Sequence, residues 1–97
     1  MNEIKEKVGI TELLAGLAEE AAELAQAALK YRRALDQSNP TPIDEDTAYE
    51  HLMEECADVK LYFSMLPVNA RYVSEIMERK KKRWEERLAM SEATKAT

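Results

Sequence analysis

The sequence predicts an all-α fold, a small antiparallel helical bundle completed by oligomerisation, on three observations. Apolar residues make up 45% and charged residues 34% of the chain, with only two Gly and three Pro, a balance that suits helices rather than sheets or disorder. Apolar residues recur at helical spacing through three long segments, and the breakers fall between those segments. At 97 residues the chain is near the size at which one core is only modestly stabilising and association completes it. The organisation read from this is a single domain over 1–90 with a frayed, small and polar tail over 91–97.

A short lead-in helix spans about Asn2 to Lys7, and Gly9 interrupts it before Thr11 offers an N-cap hydroxyl to the next helix. That first long helix extends to about Asp36. It is rich in Ala, Leu, Glu, Gln, Lys and Arg, all good helix formers, with no Gly after Gly16 and no Pro. At roughly 100° per residue, Leu13, Leu17, Leu24, Ala28, Tyr31 and Leu35 share one arc. Glu20 stands at the edge of that arc, Glu23 borders it, and Glu19 lies further round toward solvent.

Gln37 to Pro42 is a connecting loop. Pro40 and Pro42 lack the amide hydrogen and bias the residues before them toward extended backbone. Ile43 as staple and Asp44 as N-cap start a second long helix that runs to about Leu66, where Pro67 stops it. Its apolar stripe is Ala48, Leu52, Cys56, Val59, Tyr62, Phe63 and Leu66, with Glu55 inside the stripe and Asp58 at its border. Asn69 caps a third long helix over about Ala70 to Met90, with an inward stripe of Val73, Ile76, Met77, Lys80, Trp84 and Leu88. Lys80 interrupts that stripe, and its ammonium is placed to reach the same interior as the carboxylates.

Two acidic pairs therefore intrude on two apolar stripes in the same way: Glu20 with Glu23, and Glu55 with Asp58. Residues at i and i+3 are neighbours on a helix face, and four converging carboxylates repel one another and resist burial unless something cationic neutralises them. One reading is a structural ion-pair network involving Lys80. The other is a divalent cation site. Ligands that are all oxygen favour hard ions, Mg²⁺ or Mn²⁺ over zinc or copper, and Mg²⁺ completes its shell with water and substrate phosphate. A di-iron bundle calls for Glu-x-x-His on two helices, whereas the single histidine, His51, precedes Glu54 in the reverse order.

The net charge of -5 argues against a general nucleic-acid binder. The run Arg79-Lys-Lys-Lys-Arg83 points round most of a helix circumference and reads as a solvated face, without a nucleic-acid reading motif. Lys80, Arg83 and Arg87 differ in approaching the Trp84 stripe, and Trp84 at helical spacing reads as packing. No apolar run reaches membrane-span length. The N-terminus lacks the apolar core of a signal peptide, so the expected location is the cytoplasm. The lone Cys56 excludes an internal disulfide and is expected to pack inertly.

The motifs Leu-Ala-Glu19-Glu20-Ala-Ala-Glu23 and Glu54-Glu55-Cys-Ala-Asp58, separated by a loop, resemble those of the MazG-like all-α nucleoside triphosphate pyrophosphohydrolases, relatives of the dimeric dUTPases. The segment Ile76 to Leu88 is also similar to that family's C-terminal helix, and the resemblance covers about residues 10–88. The interval between Glu23 and Glu55, which holds the Pro-containing loop, is longer than the family's. The resemblance implies hydrolysis between the α and β phosphates, giving a nucleoside monophosphate and pyrophosphate. Glu20, Glu23, Glu55 and Asp58 would then be catalytic and hold Mg²⁺, while Lys80, Arg83, Arg87 and Trp84 would bind substrate. It also implies a homodimer or homotetramer and a role in cleansing the nucleotide pool. The alternative is a non-catalytic helical oligomerisation or regulatory module whose carboxylates are structural.

Overall fold

The computed structural model describes residues 3–36 and 43–96, all of whose regular structure is helical. The expected loop over 37–42 and the start of the lead-in helix at Asn2 lie outside the described residues. Four helices follow in order: α1 (Glu3–Lys7), α2 (Ile10–Asp36), α3 (Glu45–Met65) and α4 (Ala70–Ala96). By backbone proximity the chain divides into two units, Met1–Pro67 and Val68–Thr97.

Local chemistry sets the helix ends. Gly9 adopts a positive φ of 74°, a left-handed conformation that costs glycine nothing. It ends α1, and its carbonyl accepts the Leu13 N–H at 3.1 Å, opening α2. Thr11 therefore lies within the first turn of α2 and is not its cap. Asp44 caps α3 as expected: its carboxylate accepts the Thr47 N–H at 3.1 Å and the Thr47 hydroxyl as well. At the other end Leu66 is extended (φ -95°, ψ 159°), as the residue before a proline prefers. Asn69 accepts the Tyr72 N–H at 3.0 Å and caps α4. That helix continues to Ala96, beyond the expected end at Met90, because the final stretch contains neither Gly nor Pro to stop it.

Within the first unit, α2 and α3 form an antiparallel hairpin. Leu13 near the start of α2 packs with Met65 and Leu66 at the end of α3, joined by Leu17 and Tyr62. Toward the other end, the rings of Tyr31 and Tyr49 meet edge to face at 5.7 Å. Apart from Gly16, the buried and half-buried positions on α2 are Leu13, Leu17, Glu20, Leu24, Ala27, Tyr31 and Ala34. On α3 the corresponding row is Ala48, Leu52, Glu55, Val59 and Tyr62, continued by the C-cap Leu66, with Cys56 and Met65 beside it. Both rows alternate steps of three and four, the heptad spacing of a packed seam.

This corrects the expected stripes. Ala27 and Ala34 are buried where Ala28 and Leu35 were expected, since a fixed 100° projection drifts by about 20° per heptad from a seam that follows its partner. Met65 is buried, while Phe63 is exposed. Leu14 and Leu35 on α2 and Tyr49 and Phe63 on α3 are all exposed and lie on one flank of the seam by helical projection. On α4, Ile76 is half-buried, but Val73, Met77, Trp84 and Leu88 of its expected inward stripe are exposed.

Small side chains bring the helices of the hairpin together. A Cβ at Gly16 would run into the Oη, Cε1 and Cζ atoms of Tyr62. The tyrosine ring thus occupies the space that the missing side chain leaves, one turn from Glu20.

Candidate metal centre

The acidic cluster sits midway along the α2/α3 seam. Glu20 holds a heptad position on α2 and Glu55 one on α3, each where an apolar residue would ordinarily pack. Glu55 is only 8% exposed, the buried charged residue of the hairpin core. Glu20 is half-buried, and Glu23 and Asp58 are exposed. One oxygen from each of Glu20, Glu23 and Glu55 lies within 4.8 Å of the other two. Asp58 is not one of that trio but lies close enough for its charge to act on both Glu20 and Glu55.

The electrostatics follow from burial and like charge. Burial pushes the Glu20 carboxyl above its ordinary value of 4.5, and the charges of Glu23 and Asp58, a hydrogen bond with Glu23 and the charge of Glu55 push it further the same way. Burial likewise raises Glu55, with Glu23 and Asp58 adding to the effect, while His51 opposes it and a hydrogen bond with Glu23 adds again. A hydrogen bond between two carboxyl groups requires a proton on one of them. The cluster is therefore a place where either a proton or a cation relieves repulsion.

Two oxygens of the cluster have no partner among the described residues. Oε2 of Glu20 and Oε2 of Glu55 are buried without a hydrogen-bond partner, an expensive condition for carboxylate oxygens. Oxygens that share one small divalent ion lie about 3–4 Å apart, so the three carboxylates, within 4.8 Å of one another, can converge on a single ion by moving inward. Among the described residues the basic side chain in contact with the cluster is His51, whose Nε2 lies 3.3 Å from Glu55 Oε1. His51 and Glu55 are four apart on α3, the spacing that makes helix neighbours. That spacing is the sequence signal for the pair.

Lys80, Arg83, Trp84 and Arg87 lie on α4, all exposed, and with Leu88 they line one face of that helix. The expected position of Lys80 in the interior beside the carboxylates does not hold as burial, since Lys80 is exposed. Cys56 is half-buried. No helix among the described residues is long and apolar enough to cross a membrane.

No family model, curated protein or solved structure matches this chain.

Proposed function

We propose that this protein is a Mg²⁺-dependent nucleoside triphosphate pyrophosphohydrolase that cleaves between the α and β phosphates and releases a nucleoside monophosphate and pyrophosphate. The observation that carries the proposal is the pair of buried, unpartnered carboxylate oxygens of Glu20 and Glu55 beside Glu23 in the hairpin seam. A structural ion-pair network would supply cationic partners to those oxygens, and among the described residues none reaches them. The motif resemblance to the MazG-like enzymes supports the same reading and supplies the reaction.

In this reading Glu20, Glu23 and Glu55 hold the ion, and Mn²⁺ is an acceptable substitute. A divalent ion at such a site neutralises polyphosphate charge and polarises an attacking water. Asp58, exposed beside the trio, joins in ligation and with Glu23 orients that water. Lys80, Arg83 and Arg87 bind substrate phosphates, and the Trp84 ring binds the nucleoside. The protein acts in the cytoplasm as a homodimer or homotetramer. The exposed apolar residues on the hairpin flank and on α4 support that assembly. Nucleotide-pool cleansing is the corresponding cellular role.

The test is a panel of nucleoside triphosphates with pyrophosphate release as the readout. Wild-type protein with Mg²⁺ releases pyrophosphate from at least one of them, and Glu55→Gln lowers the rate by about 10²-fold or more, as loss of a metal ligand at the reacting centre implies. Absence of release across the panel would overturn the reading.

A further inference from the structure

A groove of about 400 Å³ lies on the hairpin, lined by Gln26, Leu29, Lys30 and Arg33 from α2 and His51 from α3. Lys30 and Arg33 are exposed and have no ion-pair partner among the described residues. Lys30 stands seven residues after Glu23, two turns along the same flank of α2. On α3, His51 stands one turn before Glu55 and touches it at 3.3 Å. The groove and the acidic trio are thus neighbours along one edge of the hairpin, with His51 at the boundary. That edge is acidic around Glu20, Glu23 and Glu55 and positive around Lys30 and Arg33.

We propose that the groove is a phosphate subsite, taking the anionic end of a polyphosphate whose metal-bound phosphates lie at the trio. The inference rests on the reading of the trio as a divalent metal site. An edge divided into acidic and basic halves fits a ligand divided in the same way, a cation bound to one part of a polyanion. Arg33 offers a planar fork of donors to phosphate oxygens, Lys30 a mobile ammonium, and Gln26 an amide donor. Leu29 forms an apolar part of the groove lining. The subsite belongs to the hairpin alone, separate from the cations of α4.

The test uses the full chain and inorganic tripolyphosphate with Mg²⁺, followed by titration calorimetry. Lys30→Gln and Arg33→Gln each weaken tripolyphosphate binding roughly three- to tenfold, as expected for charge-assisted contacts at an exposed site. Lys60→Gln, the same charge change at an exposed position of α3 outside the groove, leaves binding unchanged. Mg²⁺ binding in the absence of phosphate is the same in all four proteins. Failure of the wild type to bind tripolyphosphate overturns the subsite, as does wild-type affinity in both groove variants or an equal loss in Lys60→Gln. The nucleotide panel separates this from the catalytic reading: groove-dependent binding without turnover leaves the subsite standing and removes the enzyme, and turnover with groove-independent binding does the reverse.

Discussion

Glu20 and Glu55 bind protons more tightly in the fold than in the open chain, and this fixes a direction for stability against pH. Because both are raised above 4.5, the folded state holds more protons than the unfolded one in the window above that value. Stability without a divalent ion therefore increases as pH falls from the raised values toward 4.5. Asp44 acts in the opposite sense: its hydrogen bonds with Thr47 hold it below 3.8, so its contribution is lost on further acidification through its lowered value. Saturating Mg²⁺ competes with protons for the same oxygens, so it flattens the rise and lifts the melting temperature most at neutral pH. Thermal melts across mildly acidic to neutral pH, with chelator or with Mg²⁺, check this. A melting temperature indifferent to both would remove the metal site. Glu55→Gln sharpens the test, since it relieves repulsion and abolishes the Mg²⁺ response together.

At the level of helices, the α2/α3 seam depends on Gly16. Replacing it by Ala gains about 1 kcal/mol of helix propensity but drives a methyl into the Tyr62 ring, an overpacking cost of about 1–3 kcal/mol. The clash wins, and Gly16→Ala destabilises by roughly 1 kcal/mol. In a Tyr62→Leu background the ring is gone and the same change becomes stabilising. Urea unfolding of the four proteins in a double-mutant cycle reads the reversal of sign. Much of this architecture was legible beforehand: the caps Asp44 and Asn69, the stop at Pro67 and the inward Glu55 all follow from residue type and spacing. The Gly16–Tyr62 contact was not, because it depends on how closely two helices approach, and neither partner announces the other in sequence. Ala27 and Ala34 were missed for a related reason, since a seam is set by its partner helix and not by the projection of one helix alone. The inward place of Glu20, half-buried in the seam, follows from its spacing, and so does the i, i+4 pairing of His51 with Glu55.

For the whole molecule, the balance between buried and exposed apolar surface is the governing feature. The core is small, built from Leu13, Ala27, Ala34, Ala48, Val59, Met65 and Leu66, and Leu14, Leu35, Tyr49 and Phe63 stay outside it on one flank. If that flank is where copies of the chain meet, the protein sediments at a multiple of its 11.1 kDa monomer mass. Phe63→Glu then shifts it to the monomer with helicity retained, because a charge in an apolar interface is costly. A wild type that stays monomeric at micromolar concentration and above rules out the assembly. The exposure of Trp84 carries a further consequence. It is the single tryptophan of the chain and stands 68% exposed on α4, while the paired tyrosines Tyr31 and Tyr49 belong to the hairpin. Selective excitation of the indole therefore reports on α4 alone, whereas tyrosine dichroism mixes Tyr31, Tyr49 and Tyr62 of the hairpin with Tyr72 of α4, so in a Tyr72→Phe background the two units carry separate optical labels without any added dye.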